Sequence, residues 1–425
     1  MSFSLSHLLQ QSRQCLTPFC TQVLLPSLAL TGLQIFLISF WSQEDDYASI
    51  FKGLTQWDSH WYLGIVRQGY QFVGFDKIAY EQSNVAFFPG YPLAVAALSR
   101  LLRVEPELGL YLTAQLFCWL MWVYLFLFYH LWQIPLLWQA LASLMILVYP
   151  SSFYLVVGYS ESLFTASLLG FFYWSAHLSM RSGLLAGIHG LVMSATRIVG
   201  LPVALVPLLR LSRPWFWTAS AVVLALSGGL SFFLYCQLRF GRWDLYMEMQ
   251  RYFGPSSFDY LAIIQPRTYA PLFSLGYWQS LFSFSEALGD GIWAISLSQL
   301  FVPLTLGSLV VTGLLDGWSV LAGKSRHWQE RLGFHLAAWI MFSISVAGMS
   351  AVAQRSMIRY CLPIHTLQVL AWLHGIRYTD FSFIPQQVRF YLGSVLRLGY
   401  WILALVFFAL NQILTWRYVQ HLWVA

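Results

Sequence analysis

Long apolar runs recur along this chain with almost no charge inside them. The first run extends from Val23 to Trp41, and charged residues make up only 9% of the sequence, against roughly 25% in average soluble domains. A water-soluble fold of this size could not cover its surface with so few charges. Runs of this length predict transmembrane helices, so the sequence predicts an all-α, polytopic integral membrane protein.

Counting the apolar runs predicts about ten or eleven membrane crossings. After the first run, the predicted spans lie at about 108–131, 136–150, 160–178, 184–200, 201–211, 215–236, 292–314, 332–349, 361–373 and 398–416. Two segments leave the count open. Residues 85–102 either cross the membrane or lie along its surface as an interfacial helix. Residues 184–211 are short for two full crossings and are interpreted as two short arms.

One membrane domain covering residues 1–425 is the simplest organisation. The interval 43–107 is the predicted first non-cytoplasmic loop, because the basic loops at 210–214 and 323–331 are predicted to be cytoplasmic by the positive-inside rule. The net charge of +6 fits that rule, and the chain has no block of five basic residues, so no nucleic-acid partner is predicted. The five cysteines have no spacing typical of a disulfide framework or a zinc site.

The stretch "TQWDSHWYLGIVRQGY" at 55–70 places a carboxylate among aromatic residues at the edge of the first apolar run. In a helix, Asp58, Trp61 and Tyr62 would share one face. Partial desolvation would make Asp58 a better proton acceptor, and aromatic rings suit a sugar or a membrane interface. The alternative is a helix-capping aspartate within an aromatic belt.

Three further charged residues lie in or beside apolar segments. Arg197 lies deep in "LVMSATRIVGL", where burial is costly unless the side chain faces protein, water or an anion; snorkelling to the interface is the alternative. Glu161 begins an apolar run and either binds a ligand or complements a helix dipole. Arg359, one turn after Arg355, suits an anionic phosphate, or is an ordinary loop end.

Five motifs occur together and in order: "WDSHWYLGIVRQGY", "NVAFFPGYPL", "YPSSFYLVVGYSESLF", "ATRIVGL" and "RYCLP". This ordered set, spread over residues 57–363, resembles the PIG-V family, which includes the second mannosyltransferase of GPI-anchor synthesis and its prokaryotic relatives. The resemblance implies a fold of the GT-C class of membrane glycosyltransferases, with interfacial helices in the first outward loop. It does not extend beyond about residue 375.

The resemblance also implies a function. The chain would be an inverting glycosyltransferase that moves a hexose, most simply mannose, from a polyprenyl-phosphate sugar donor to a lipid-linked or glycan acceptor. Asp58 matches the catalytic acidic position. The predicted substrate-binding residues are Trp57, His60, Trp61, Tyr62, Tyr159, Glu161, Arg197, Arg359 and Tyr360. Of these, Arg197 or Arg359 would stabilise the leaving phosphate, and Glu161 would orient hydroxyl groups.

Several expectations accompany this interpretation. The implied location is a bacterial plasma membrane, with the active site on the non-cytoplasmic face and membrane lipids as surroundings. No cofactor is predicted, metal use is left open, and a partner subunit is possible. Two alternatives remain: a multi-pass transporter or lipid flippase, and a non-catalytic scaffold. A transporter is typically built from internal repeats, and none is visible in the sequence.

Overall fold

A computed structural model describes residues 19–42, 44, 46–74, 83–177, 179–209, 215–253, 261–282, 291–321, 323, 328–347, 356–379, 386–422 and 424. These residues fold into helices joined by short connections, and no β-strand occurs among them. The all-α fold class is therefore confirmed. Arg355 and the loop at 210–214 lie outside the described residues.

The helices are numbered here in chain order. The first nine are α1 (Leu25–Ser39), α2 (Tyr47–Gly53), α3 (Asp58–Gln68), α4 (Gly90–Leu102), α5 (Pro106–Leu131), α6 (Leu136–Leu147), α7 (Glu161–Ser175), α8 (Met180–Thr196) and α9 (Gly200–Val203). The next are α10 (Trp215–Phe240), α11 (Leu245–Phe253), α12 (Pro266–Tyr269), α13 (Leu275–Phe282), α14 (Gly291–Leu321), α15 (Trp328–Ala347), α16 (Met357–Tyr378) and α17 (Gln386–Val419). A π-helical stretch, Cys20–Leu24, leads directly into α1.

Among the described residues, five helical segments are long and apolar enough to cross a membrane. These are Cys20–Ser39, Pro106–Leu131, Trp215–Phe240, Ile292–Leu321 and Leu396–Val419. At about 1.5 Å per residue, each is long enough for a hydrocarbon core of about 30 Å. The length and composition of these five segments support the expectation of a membrane protein with transmembrane helices. The count of ten or eleven crossings stays a prediction.

The predicted first loop, 43–107, begins and ends at the same end of the helix bundle. At its start, the Trp41 indole donates a hydrogen bond to Gln412 Oε1 at 2.9 Å, near the end of α17. At its end, Glu107 in the first turn of α5 pairs with Arg67 of α3. Between these points, α4 has 13 residues and is about 20 Å long, shorter than the hydrocarbon core. This geometry favours the interfacial alternative for 85–102.

The segment 184–211 is divided at Arg197. Helix α8 ends at Thr196, Arg197 adopts an extended backbone (φ −148°, ψ 142°), and α9 and a 3₁₀ turn at Val206–Leu209 follow. Within the described residues, one helical arm is thus followed by two short helical pieces, and the two-arm interpretation of 184–211 stays a prediction.

Helices α8 and α10 run parallel to each other, which requires the chain to return between them. Gly183, early in α8, lies beside Trp217, early in α10, and Leu191, late in α8, lies beside Gly228, at the middle of α10. A Cβ atom at Gly228 would overlap the carbonyl oxygen of Leu191. Glycine therefore permits the close approach of these two backbones.

The motif "YPSSFYLVVGYSES" forms a buried, largely irregular connection between α6 and α7. The Asn411 amide donates to the carbonyl of Tyr149 at 2.9 Å and to Ser152 Oγ at 3.1 Å. The Ser59 hydroxyl donates to the carbonyl of Gly158 at 2.9 Å. Irregular backbone at membrane depth is tolerated where protein groups satisfy its polar atoms. These contacts fix the segment that carries Tyr159 and Glu161.

Candidate active site

Four charged side chains, distant in sequence, form one chain of ion pairs at an end of the bundle. Arg359 Nη1 lies 2.8 Å from Asp58 Oδ2. Arg359 Nε lies 3.3 Å from Glu161 Oε1, and Arg197 Nη1 lies 3.2 Å from the same oxygen. The order is Asp58–Arg359–Glu161–Arg197, with alternating charge. We call these four residues the charge cluster.

Helix ends place each member of the charge cluster. Asp58 and Glu161 are the first residues of α3 and α7, where the helix dipole favours a carboxylate. Arg197 directly follows the last residue of α8, where the dipole favours a cation. Arg359 lies in the first turn of α16, where the dipole disfavours a cation, so its two carboxylate partners stabilise it there.

Burial differs sharply within the charge cluster. The exposed fraction of the side chain is 1% for Glu161, 7% for Arg359, 16% for Arg197 and 26% for Asp58. The formal charges sum to zero, as the cost of burying unpaired charge requires. Asp58 is the member most accessible to a bound molecule.

Tyrosine rings surround the two guanidinium groups. Arg359 Cζ lies 5.5 Å from the ring centroid of Tyr154 and 5.2 Å from those of Tyr159 and Tyr360. Arg197 Cζ lies 4.9 Å from the Tyr360 centroid. Cation–π contacts at these distances hold a guanidinium in place without consuming its N–H donors. Tyr360 therefore separates and positions both arginines.

Tyr62 lies one turn after Asp58 and is buried. Its hydroxyl donates to Ser160 Oγ at 3.1 Å, and its ring meets those of Phe87 and Tyr91 edge to face. Burial raises the pKa of the Tyr62 hydroxyl, and the negative charges of Asp58 and Glu161 raise it further. The phenol therefore stays protonated and cannot serve as the base.

The backbone at Trp57 is strained. Its φ of 45° and ψ of −112° lie outside the regions that non-glycine residues favour, and such conformations cost about 1–3 kcal/mol. The indole packs against the ring of Tyr418, with centroids 5.5 Å apart. Trp57 directly precedes Asp58, so its backbone angles set the direction in which α3 begins. In that direction Asp58 contacts Arg359.

An open groove lies along another face of α3. Its volume is about 460 Å³, and it is lined by His60, Trp61, Gly64, Gln68, Gln71, Val73 and Asn84. We call it the α3 groove. Asp58 is not among its lining residues, although it begins the same helix.

The structure thus divides the ten residues predicted for the site. It brings together seven of them in and around the charge cluster: Asp58, Tyr62, Tyr159, Glu161, Arg197, Arg359 and Tyr360. His60 and Trp61 line the α3 groove instead. Trp57 contacts Tyr418 and supports the turn into α3.

Two site residues were not predicted from the sequence. Tyr154 lies inside the quoted motif "YPSSFYLVVGYSES" and packs against Arg359. Tyr418 comes from the C-terminal part, beyond the last matching motif. Its ring contacts Trp57, and its hydroxyl donates to the carbonyl of Leu54 at 3.0 Å. The one signal in the sequence was that Tyr418, a polar aromatic residue, follows the end of the apolar run at 398–416.

No group of three or more His, Cys, Asp or Glu side chains in the described part of the chain could hold a metal ion. Within the charge cluster, both carboxylates are paired with arginine. In the acidic stretch at 44–46, Asp46 caps α2 by accepting a hydrogen bond from the Ser49 amide, and Asp45 lies outside the described residues. Metal dependence stays an open prediction.

No protein-family model matches this chain, and no curated protein matches it. The resemblance to the PIG-V family therefore stays a prediction that rests on the motifs alone.

Proposed function

We propose that the protein is an inverting glycosyltransferase of the GT-C class that moves a hexose from a polyprenyl-phosphate sugar to a hydroxylated acceptor. Mannose is the sugar that the family resemblance implies, and the acceptor is lipid-linked or a glycan. The observation that carries the proposal is the Asp58–Arg359 pair at 2.8 Å. It places a candidate base next to a candidate phosphate-binding cation.

Asp58 has the exposure and the free oxygen that a general base needs. Its Oδ2 accepts from Arg359, and no donor from the described residues contacts Oδ1. In the proposed reaction, Asp58 accepts the proton of the acceptor hydroxyl. The acceptor oxygen attacks the anomeric carbon, the bond from that carbon to the phosphate oxygen breaks, and the polyprenyl phosphate leaves with the bonding electrons.

Arg359 and Arg197 supply positive charge for the leaving phosphate. Both contact the same Glu161 oxygen, so a phosphate near Glu161 is within reach of either guanidinium. Arginine presents a planar fork of donors that matches phosphate oxygens. Stabilising developing charge on the leaving group in this way is often the largest contribution to catalysis.

Glu161 has a second oxygen available for substrate. Its Oε1 bridges the two arginines, while Oε2 is buried and has no hydrogen-bond partner among the described residues. A buried acceptor without a partner costs free energy, and a sugar hydroxyl at this point would remove that cost. This supports the predicted role of Glu161 in orienting acceptor or donor hydroxyls.

The proposal keeps the predicted membrane domain of ten or eleven passes, of which five helices among the described residues are long and apolar enough to span a membrane. At the end of the helix bundle that contains Asp58, helices α1, α8 and α17 end and helices α5, α7 and α16 begin. Helices α10, α14 and α15, with 26, 31 and 20 residues, are long enough for further passes, whereas α6, with 12 residues, is as short as α4. We place the charge cluster at the non-cytoplasmic surface, where a polyprenyl-phosphate sugar presents its headgroup.

The test uses purified protein in lipid nanodiscs with radiolabelled polyprenyl-phosphate mannose and a membrane lipid extract as acceptor. Label is expected to move into a new lipid or glycan product. Polyprenyl-phosphate glucose in a parallel reaction identifies the sugar. The proposal fails if neither donor loses its sugar, and lipid movement between leaflets of proteoliposomes under the same conditions would favour the flippase alternative.

A further inference from the structure

The α3 groove is large enough for one small molecule and shares helix α3 with Asp58 of the charge cluster. Its volume of about 460 Å³ falls in the roughly 300–1,000 Å³ range of small-molecule sites. Asp58, at the start of α3, and Trp61, in the groove lining, are three residues apart and so lie on neighbouring positions of one helix surface. The part of the groove that Trp61 lines is therefore next to the helix position that carries the proposed base.

Helix α3 forms one wall of the groove, and the middle of that wall is Gly64, which has no side chain. His60, Gly64 and Gln68 follow one another at intervals of four along this face. A Cβ atom at Gly64 would meet no heavy atom within 4 Å. Glycine inside a helix costs about 1 kcal/mol relative to alanine, so Gly64 lowers the stability of α3 at the position that faces the groove.

Hydrogen bonds of side-chain amides stabilise the opposite wall of the groove. The Gln71 backbone N–H donates to Asn84 Oδ1 at 2.8 Å, and Asn84 Nδ2 donates to the carbonyl of Gly69 at 3.0 Å. Gln71 Nε2 donates to Gln68 Oε1 at 3.2 Å. No described residue contacts Gln71 Oε1, and the Gln68 amide nitrogen retains its N–H groups. The groove therefore offers both an acceptor and a donor.

Trp61 adds a fixed aromatic face. Its ring stacks on Phe87 with centroids 5.7 Å apart and an interplanar angle of 20°. None of the described lining residues is Asp, Glu, Lys or Arg, so this part of the groove offers no formal counter-ion to a charged ligand. Amide donors and acceptors beside an indole suit a ring with a rim of hydroxyls and an apolar C–H face.

We infer that the α3 groove binds the neutral, polyhydroxylated ring of the acceptor, either a hexose or a cyclitol. This inference rests on the proposed function, because it assigns the groove to the acceptor of that reaction. The acceptor ring lies against Trp61 with one hydroxyl directed at Asp58. The donor phosphate engages Arg359 and Arg197 on the other side of Asp58.

The direct test is saturation-transfer NMR on the protein in nanodiscs, with a methyl hexoside, myo-inositol and glucose 6-phosphate as probes. Gly64→Phe fills the groove, and Gly32→Phe is the matched control, since a Cβ at Gly32 also meets nothing within 4 Å but lies in α1. One or both neutral probes are expected to show transfer in wild type and in the control, and to lose it in Gly64→Phe. No transfer to either neutral probe, transfer unchanged in Gly64→Phe, or preference for the phosphate would overturn the inference.

A kinetic measurement separates this inference from the proposed function. If glycosyl transfer is observed, Gly64→Phe is expected to raise the acceptor KM by about tenfold, equivalent to about 1.4 kcal/mol, with the donor KM close to wild type. An equal change in both constants would contradict the inference. NMR binding that is lost in Gly64→Phe, in a protein without transferase activity, would refute the proposed function and leave the ring-binding groove.

Discussion

Arg359 donates a hydrogen bond from Nη1 to Asp58 Oδ2 at 2.8 Å, although 301 residues separate the two along the chain. While this pair is intact, Arg359 occupies one of the two oxygens of Asp58. The donor phosphate offers Arg359 a competing anion, so we expect donor binding to release Asp58. Both oxygens of Asp58 would then be available to the acceptor hydroxyl only when the donor is bound.

Replacing Arg359 by lysine tests this relationship. Lysine keeps the positive charge but lacks the planar fork that contacts Asp58 and Glu161 together. We expect kcat for glycosyl transfer to fall by about 10²–10³-fold, the cost of removing one preorganised donor in an active site. The measurement is steady-state transfer in nanodiscs, after a thermal unfolding curve confirms a folded variant. A rate near wild type would show that the fork has no role.

Glu161→Gln tests the stabilising role of the buried carboxylate. Glu161 is 1% exposed and bridges two arginines, and removing one partner of a buried pair costs about 3–5 kcal/mol. We expect a clear fall in the free energy of unfolding, measured by denaturant titration. The control is Glu107→Gln, which breaks the exposed pair with Arg67 and is expected to cost less than about 1 kcal/mol. Equal effects would contradict the account.

The pH dependence of transfer should not involve Tyr62. Burial raises the pKa of its hydroxyl, so the phenol remains protonated from about pH 5 to pH 9. Tyr62→Phe removes one hydrogen bond to Ser160 and is expected to destabilise the protein by about 1 kcal/mol. The shape of the pH–rate profile should stay unchanged. Loss of a basic limb from that profile would assign Tyr62 a role as a proton donor or acceptor.

The close packing of α8 on α10 depends on glycine. A Cβ at Gly228 would overlap the Leu191 carbonyl oxygen, whereas a Cβ at Gly307 in α14 meets nothing within 4 Å. Gly228→Ala should therefore lower the free energy of unfolding by about 1–3 kcal/mol. Gly307→Ala should be neutral or stabilising by up to about 1 kcal/mol. The same ranking in thermal unfolding would support the parallel packing, and the reverse ranking would refute it.

The sequence was most informative about charged residues in or beside apolar segments, because burying a charge there costs the most free energy. Arg197 and Glu161 stood out because a membrane protein with 9% charged residues places charge at membrane depth only at a cost. The structure joins them to Asp58 and Arg359 in one cluster. Their mutual pairing could not be predicted, because it depends on how α3, α7, α8 and α16 meet in space.

Side-chain direction and partner choice were the parts that sequence spacing could not supply. Helical spacing placed Asp58, Trp61 and Tyr62 on one face, yet Trp61 lines the α3 groove while Tyr62 is buried beside Ser160. The strained backbone at Trp57 resets the start of α3, and no sequence pattern indicates it. Tyr418 was missed because its part of the chain matched no motif.

The most direct test of the central claim is the transfer rate of Asp58→Asn. The amide keeps the size of the carboxylate but cannot accept the acceptor proton, so the protein should fold and lose transfer from the polyprenyl-phosphate donor. Loss of at least about 10²-fold in kcat, with donor binding retained, is the predicted result. Transfer by Asp58→Asn at a rate close to wild type would contradict the assignment of Asp58 as the base.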